Sequence, residues 1–248
     1  MHILEIKDLH VKYSELEVVA GVDAYLDQGQ WLMIAGPNGA GKSTILTAIS
    51  GGVSYTGEIR FKDENIRKMR SMELARHIGV LSQNHSVGYD FTVSEVVNLG
   101  RYAYKNDTNS RACVERALKQ AGLKDLAGKS VLNLSGGEVQ RTFLAQLFAQ
   151  DPDIMILDEP ANHLDLVYQK QVFELISEWV KEPGRAVISV VHDLSLAKAY
   201  GTHCLLMNKG NCAAFGPISD VLVPEKLNSV YEMDVYDWLN KMLGQLKE

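Results

Sequence analysis

The chain has 248 residues and a formal net charge of −6, and 46% of its residues are hydrophobic. This length allows one large domain, or a core that carries an inserted subdomain, and this hydrophobic content is ordinary for a globular protein. Proteins that bind nucleic acid present basic surfaces to the phosphate backbone. Because the sequence has no Lys/Arg-rich block, we expect no nucleic-acid partner.

The cysteines and the apolar runs indicate the cellular compartment in which the chain works. Cys113, Cys204 and Cys212 are few, odd in number and without C-x-x-C spacing, which is typical of a reducing compartment and predicts no metal knuckle. Residues 1–9 alternate charged and apolar side chains, unlike a signal peptide. No apolar run approaches the ~20 residues that span a bilayer, so a role at a membrane would require another chain to cross it.

Three segments near the N-terminus are predicted to be strands. Residues 2–13 and 57–63 alternate apolar and polar side chains, and residues 18–26 form a strand between them. We expect these strands to pair antiparallel around the unit formed by residues 31–49.

That unit contains a glycine-rich loop between a buried strand and a helix. Residues 31–35 are a continuous apolar run, and Ile45, Leu46 and Ile49 follow the loop at helical spacing. The loop matches G-x-x-x-x-G-K-[ST], the phosphate-binding pattern. Its residues are Gly36, Pro37, Asn38, Gly39, Ala40, Gly41, Lys42, Ser43 and Thr44.

The residue types of this loop suit a triphosphate. Many N–H donors must wrap around the phosphates, and a Cβ would obstruct that close approach, so glycines are required. The helix N-terminus adds the positive end of its dipole. Lys42 would bridge the β- and γ-phosphates, and the Ser43 hydroxyl would ligate Mg²⁺.

The middle of the chain is predicted to be helical. A short strand at residues 78–82 ends at Gln83, and Thr92 and Glu95 then have capping-box spacing at the start of a helix. Apolar residues at helical spacing continue toward residue 150. We therefore predict that residues 86–150 are a helical subdomain inserted into an α/β core.

The α/β core resumes at residues 154–157, an apolar run that is expected of a parallel strand covered on both faces. Asp158 and Glu159 follow it directly. An Asp at a strand end beside a phosphate loop can hold the Mg²⁺ shell through water, and the adjacent Glu can polarise the attacking water. Two surface carboxylates after a strand are common, so the phosphate loop is what favours the catalytic interpretation.

Further strands are predicted at residues 186–191 and 203–207. Ligands of open α/β sheets bind at the carboxyl ends of the strands. We therefore expect one crevice to be lined by the residues that follow four strands, namely Gly36, Gln83, Asp158 and His192. The tail, residues 228–248, contains a short amphipathic helix that packs on its own domain or contacts a partner or a second copy.

A second helix start is directed at an anion. Ser135 can cap a helix, and Gly136 and Gly137 leave backbone N–H groups exposed at its N-terminus. An ordinary serine cap with glycines in the turn would give the same pattern. Two phosphate-directed helix starts in one chain are unusual unless two copies share nucleotides.

The stretch at residues 134–141 resembles the signature motif of ATP-binding cassette (ABC) proteins. The other segments fall in that family's order, since 36–44 resembles Walker A, 154–159 resembles Walker B, and 161–165 resembles the D-loop. Single positions also match, with Gln83 as the Q-loop glutamine, His192 as the switch histidine, Asp165 in the D-loop and Tyr13 as the aromatic that stacks on adenine. The resemblance covers nearly the whole chain.

The resemblance implies an α/β fold, with a P-loop NTPase core of ABC type, an antiparallel β subdomain and an inserted α-helical subdomain. It places the ABC ATPase domain at residues 1–227 and a C-terminal extension with a short helix at 228–248. Val139 and Ala161 depart from the family's more common residues, but neither position carries a catalytic group. We therefore expect hydrolysis to be intact.

The resemblance also implies a mechanism in which two copies pack head to tail and sandwich two ATP molecules. Lys42, Glu159 and His192 would be catalytic, while Ser43, Gln83 and Asp158 would surround Mg²⁺. The residues that would act in trans on the other copy's ATP are Ser135, Gly136, Gly137 and Glu138. ATP binding would close the dimer, and hydrolysis would release it.

A resemblance to one subfamily of ABC proteins indicates which kind of substrate is transported. One acidic cassette without a membrane span favours a transport ATPase, and residues 97–101 resemble importers of iron chelates, haem and cobalamin. Ala103 and Tyr104 depart from that subfamily, which often has a proline there. A zinc or manganese importer and a soluble iron–sulfur assembly cassette remain alternatives.

Such an ATPase implies partners and a location. It would lie peripherally on the cytoplasmic face of the inner membrane, bound to integral-membrane permease subunits and, through them, to a solute-binding protein. We predict that the permease docks near Tyr89, Asp90 and Phe91.

Overall fold

The computed structural model describes residues 2–82, 90–105, 107–162 and 164–245. The chain divides into two compact units. The first comprises Met1–Leu26, Trp31–Asn65 and Val190–Glu248, and the second comprises Asp27–Gln30 and Ile66–Ser189.

Strands and helices alternate along most of the described chain. The strands are β1 (Leu4–Tyr13), β2 (Leu16–Leu26), β3 (Trp31–Ala35), β4 (Thr56–Phe61), β5 (Glu64–Asn65), β6 (Ile78–Leu81), β7 (Ile154–Asp158), β8 (Ala186–Val190), β9 (His203–Asn208) and β10 (Asn211–Pro217). The helices are α1 (Lys42–Ile49), α2 (Ser71–His77), α3 (Val93–Leu99), α4 (Ser110–Gln120), α5 (Gly136–Gln150), α6 (Leu166–Val180), α7 (Leu194–Tyr200), α8 (Ile218–Val221), α9 (Pro224–Tyr231) and α10 (Val235–Gln245).

The first unit contains an antiparallel sheet in the order β2–β1–β4–β5. Leu4 of β1 pairs with Leu26 of β2 and with Phe61 of β4, and all three side chains are buried. Lys7 and Lys12 of β1 are exposed, as expected of an antiparallel sheet that packs one face on the core. The predicted antiparallel pairing of these strands is confirmed.

The first unit also contains the strands β10–β9–β3. β3 runs parallel to β9, and β10 is antiparallel to β9. All five residues of β3 are buried, which is why this strand is a continuous apolar run instead of an alternating one. The phosphate loop leads from the end of β3 into α1.

The second unit contains the strands β8–β7–β6 and the middle helices. β6 and β7 are parallel, with Ile78 paired with Ile154 and Leu81 with Leu157. Helices α3, α4 and α5 pack on one another. They bury Val93, Val96, Val97, Val114, Ala117, Leu118, Leu144, Leu147 and Phe148. The mixed α/β architecture is that expected from the sequence, while the limits of the inserted subdomain stay a prediction.

Several short elements carry no clear sequence pattern. Helix α2 buries none of its residues, so it has no apolar stripe from which to predict it. Strand β10 mixes exposed and half-exposed residues, such as Ala213 and Ala214, without an apolar alternation and is defined by its pairing with β9. Within the described residues, no helix is both long and apolar enough to cross a membrane.

The tail helix α10 packs only along part of its apolar face. Val235 is buried, and its backbone N–H donates to Asn228 Oδ1 over 3.0 Å. Farther along the helix, the side chains of Trp238, Met242 and Leu243 are 53%, 49% and 55% exposed. The tail is therefore anchored at its start and leaves apolar surface uncovered toward its end.

Candidate active site

The phosphate loop is shaped by contacts within the first unit. Gly36 has φ +140°, and a Cβ there would lie 2.2 Å from the carbonyl oxygen of Met207. Gly41 has φ +95°, and its Cβ would lie 2.6 Å from the carbonyl oxygen of Val18. Positive φ and these backbone contacts exclude other residues at both positions. Packing within the chain therefore requires glycine at these two positions. This requirement is separate from the close approach of phosphate that the sequence predicts.

Lys42 begins α1 and is only 6% exposed. Its Nζ donates hydrogen bonds to the carbonyl oxygens of Gly36 and Pro37, each over 2.9 Å. The ammonium is thereby held across the loop, at a helix N-terminus where backbone N–H groups and the dipole already favour an anion. Ser43 is exposed in the first turn of the same helix, so the loop can present both a cation and a hydroxyl to a phosphate.

His192 belongs to the first unit, where it precedes α7 in the chain. The backbone N–H of Val191 donates to the carbonyl oxygen of Ile34 in β3 over 3.3 Å, which aligns the ends of the two segments just before Gly36 and His192. Asp193 then caps α7, accepting hydrogen bonds from the backbone N–H groups of the first helical turn. The His192 side chain is exposed, unlike that of a structural core histidine.

Two tyrosines of the first unit, Tyr13 and Tyr231, also belong to the candidate site. Tyr13 ends β1 and is 49% exposed, so its ring is open for stacking. Tyr231 was not predicted from the sequence. Its hydroxyl makes a hydrogen bond with the backbone of Gly36, and burial raises the pKa of this phenol. No local pattern indicates Tyr231, because α9 is far from the loop in the chain.

The two carboxylates predicted from the sequence end β7 in the second unit. Asp158 is the last residue of the strand, and Glu159 follows with φ +53°. A left-handed backbone costs roughly 1–2 kcal/mol in a residue with a Cβ, and such strain is concentrated at functional sites. Asn162 Nδ2 donates to Glu159 Oε2 over 2.6 Å. The Glu159 carboxylate is therefore held in place by a side chain that the sequence did not single out.

Ser135 caps α5 in a complete capping box. The backbone N–H of Ser135 donates to Glu138 Oε2 over 2.7 Å, and the backbone N–H of Glu138 donates to Ser135 Oγ over 3.3 Å. Hydrogen bonds from the Ser135 backbone and then its hydroxyl hold the pKa of Glu138 below its usual range. Glu138 thus belongs to the cap itself and fixes the first turn of α5.

The two glycines of this turn have different surroundings. A Cβ on Gly137 would lie 2.5 Å from the Tyr168 ring, so packing against α6 requires a glycine there. A Cβ on Gly136 would meet no described atom within 4 Å. No contact inside the described chain accounts for a glycine at position 136, whereas close approach of an outside group would.

The signature and Walker B segments are connected within the second unit. Gln140 of α5 donates from Nε2 to the carbonyl oxygen of Pro160 over 2.6 Å, one residue after Glu159. Asp165 caps α6, with Oδ1 accepting from the backbone N–H of Tyr168 over 3.0 Å. A movement of α5 would therefore displace the turn that carries Glu159.

Some predictions fall outside this description. Gln83, Tyr89 and His163 of the D-loop stretch lie outside the described residues. The single crevice expected for four strand ends stays a prediction. Among the described residues, no group of three His, Cys, Asp or Glu side chains could hold a metal ion.

Comparison with known protein families identifies the family of this chain. Residues 19–162 match the family described as ABC transporter. The chain belongs to this family. As an ABC ATP-binding domain it binds ATP and is an ATPase, which confirms the predicted activity.

Curated ABC proteins resemble the chain over most of its length. The hemin import ATP-binding protein HmuV of Pseudomonas entomophila is 38% identical, covering 94% of this chain and 94% of that protein. FepC of Escherichia coli, a ferric enterobactin transport ATP-binding protein, is 34% identical over 91% and 85%. MntB of Halalkalibacterium halodurans, from a manganese transport system, is 32% identical over 93% and 92%. The uncharacterized ABC protein YvrA of Bacillus subtilis is longer, and this chain spans 52% of it.

Solved ABC structures share the fold. The cbiO1 protein of Clostridium perfringens, part of the transporter complex cbiONQ, superposes with a TM-score of 0.81 at 28% identity, over 92% of this chain and 94% of that one. An inward-facing ABC transporter assigned to the metal-chelate type gives a TM-score of 0.81 at 25% identity, over 94% and 90%.

Proposed function

We propose that this ABC ATPase is the energy-coupling subunit of an importer for an iron chelate, haem or cobalamin. The observation that carries the importer assignment is its similarity, over most of both chains, to a protein named for hemin import and another named for ferric enterobactin transport. The similarity to a solved transporter of metal-chelate type points the same way.

The roles of the site residues follow from their chemistry. Lys42 neutralises the β- and γ-phosphates, Tyr13 stacks on adenine, and backbone N–H groups of the loop bind phosphate oxygens. Glu159 accepts hydrogen bonds from the attacking water and polarises it, and His192 contacts the γ-phosphate. The hydrogen bond from Asn162 Nδ2 orients the Glu159 carboxylate.

Mg²⁺ is the metal that this donor set fits. Ser43 offers a hydroxyl oxygen and Asp158 a carboxylate oxygen, and Gln83 would add an amide oxygen. Mg²⁺ prefers such hard oxygen ligands and completes its shell with water and substrate phosphate instead of a protein cage. The ion would neutralise negative charge that develops on the phosphates during hydrolysis.

Gly136 supports a head-to-tail dimer. The N-terminus of α5 carries positive dipole potential, and a Cβ at Gly136 would meet no described atom, so this helix start is open to an anion from outside the chain. Each ATP would lie between the phosphate loop of one copy and Ser135, Gly136 and Gly137 of the other. Asp165 would lie in the D-loop at the same interface.

Complementation between two defective variants tests the dimer. Lys42→Ala and Ser135→Arg should each be nearly inactive alone. A mixed dimer has one intact site, formed by the phosphate loop of the Ser135→Arg copy and the signature of the Lys42→Ala copy, so mixing should restore part of the ATPase rate. If mixing restores nothing while each variant keeps a parental melting temperature, the shared-site dimer is refuted.

The permease would dock on the second unit near residues 89–91. Phe91 is 38% exposed, and its carbonyl oxygen accepts a hydrogen bond from the Val131 backbone N–H over 2.9 Å. Asp90 accepts a hydrogen bond from the Ser130 hydroxyl. A partly exposed aromatic side chain on a segment held by hydrogen bonds suits partner docking. The double variant Tyr89→Ala with Phe91→Ala should lose co-purification with the permease, and unchanged co-purification would refute this placement.

A manganese or zinc importer is the second candidate, favoured by the similarity to MntB. A soluble iron–sulfur assembly cassette is the third. Gentle purification of the tagged chain from native membranes distinguishes them, since the proposal expects permease subunits and a solute-binding protein to co-purify at the cytoplasmic face of the inner membrane. Binding of iron chelates, haem, cobalamin, Mn²⁺ and Zn²⁺ by that solute-binding protein then identifies the cargo. Exclusively soluble partners would exclude transport.

A further inference from the structure

A cavity of about 350 Å³ lies between α7 and the tail helices of the first unit. Its wall is mainly leucine, contributed by Leu194 of α7, Leu222 and Leu227 near α9, and Leu239 and Leu243 of α10. Small-molecule sites in proteins have this size and are mostly apolar with a few placed polar groups. None of these residues belongs to the nucleotide machinery described above.

The cavity lies beside α10, which is attached to the rest of the unit at its N-terminal end. Val235 is buried, and the Tyr236 hydroxyl donates to the carbonyl oxygen of Leu222 over 2.7 Å. Beyond this attachment, Leu243 is 55% exposed although it lines the cavity. Apolar surface in contact with water is unfavourable, so a ligand that covers Leu243 gains free energy from burial, whereas Leu222 and Leu227 are already buried at 2% exposure each.

One cation lines this apolar wall. Lys198 Nζ donates to the Tyr236 hydroxyl over 3.1 Å and lies 5.3 Å from the centre of the Tyr236 ring. Lys198 forms no ion pair with any residue that the structure describes, and the described lining residues include no Asp or Glu. An ammonium has three donors, so Lys198 has N–H groups left for an anion beside the leucines.

We propose that this cavity binds a single-chain amphipathic carboxylate. Its carboxylate would accept a charge-assisted hydrogen bond from Lys198, and its hydrocarbon chain would lie along Leu239 and Leu243. Charge complementarity selects an anion over a cation, and the leucine wall selects a hydrocarbon over a polar metabolite.

Calorimetric titration of the full chain with decanoate tests the proposal without nucleotide, so the outcome is independent of the proposed transport cycle. We expect saturable binding of one decanoate per chain and none of decyltrimethylammonium. Lys198→Met should weaken decanoate binding roughly tenfold through loss of one charge-assisted hydrogen bond, and Lys198→Arg should keep most of it. Lys241→Met is the matched control, because Lys241 pairs with Asp237 over 2.6 Å and does not line the cavity.

A second variant locates the site independently of charge. Ala199 is exposed on α7 and lines the cavity, so Ala199→Trp should fill the space, preserve the fold and abolish binding. The proposal is overturned if decanoate and decyltrimethylammonium bind equally, if Lys198→Met binds like Lys241→Met, or if the Ala199→Trp chain with a parental melting temperature still binds. A nucleotide-independent dimer through α10 that excludes decanoate would also overturn it.

Discussion

Glu159 is held in a left-handed backbone conformation at the end of β7, with Asn162 donating to its carboxylate. Because Glu159→Gln keeps the shape and one acceptor oxygen but removes the negative charge, the variant should bind ATP and lose the polarisation of water. We expect ATP turnover to fall by 10²-fold or more, by analogy with other general-base removals, and a stable ATP-bound dimer to accumulate. Steady-state hydrolysis and size-exclusion chromatography with Mg-ATP measure both effects. A near-parental rate would remove Glu159 from its role.

The adjacent glycines of α5 provide a matched pair of variants. Gly137→Ala places a methyl group against the Tyr168 ring, whereas Gly136→Ala meets no described atom. We therefore expect Gly137→Ala to lower the melting temperature of the isolated chain. Gly136→Ala should leave that temperature unchanged or slightly raised, because Ala favours helix, yet should impair ATP-dependent dimerisation. Equal dimerisation of Gly136→Ala and parent would mean that nothing approaches this glycine closely.

The three cysteines should differ sharply in reactivity. Burial raises the pKa of Cys204 to about 12 and also raises that of Cys212, and Cys113 is half-buried. Since the thiolate is the reactive form, a thiol reagent at pH 8 should label Cys113 first and Cys204 only after unfolding. Mass spectrometry of labelled peptides from folded and denatured protein gives the order. Rapid labelling of Cys204 in the folded chain would contradict its placement in β9.

At the scale of the element, helix α3 depends on a charged cap. Glu95 Oε2 accepts from the Thr92 backbone N–H over 2.7 Å and from its hydroxyl over 2.8 Å. These bonds, that from the backbone N–H first, hold the pKa of Glu95 below its reference value of 4.5. A depressed folded-state pKa contributes stability above pH 4.5 that is lost as the pH falls through the lower folded value.

The corresponding test is Glu95→Gln, which keeps an acceptor oxygen but no charge. The parent should be more stable than Glu95→Gln to urea at pH 7, and the difference should vanish once the pH falls below the folded-state pKa of Glu95. Glu115→Gln is a control on an exposed helix face, where Glu115 pairs with Arg111 in an i, i+4 arrangement. A difference that persists at pH 3 would mean that the carboxylate charge is not what stabilises the cap.

At the scale of the whole molecule, nucleotide binding should stabilise the native state. A ligand at 100 times its Kd adds about 2.7 kcal/mol, so Mg-ATP should raise the melting temperature of the Glu159→Gln chain by several degrees. The double variant with Lys42→Met should lose most of this shift, because the ammonium that spans the loop is gone. Lys119→Met, an exposed lysine on α4, serves as the control in the same background. An unchanged shift in the Lys42→Met chain would exclude Lys42 from phosphate binding.

Much of the site could be predicted from the sequence because its determinants are local. The phosphate loop, the carboxylates after β7 and the caps at Thr92 and Ser135 each occupy fewer than about ten consecutive residues. Their hydrogen bonds close within six positions along the chain. A pattern of that length is visible in one sequence, and the strand or helix beside it is visible as apolar periodicity.

The sequence by itself determined which chemistry the chain carries, since residue type and spacing fix a phosphate loop and a helix cap. Only the tertiary structure decided what surrounds those residues. The contact of Tyr231 with Gly36, the stacking of Tyr168 on Gly137, and the cavity beside Lys198 all join residues from separate elements. Such contacts produce no periodic pattern in the sequence. They depend on how helices and strands pack and not on the order of residues within one element.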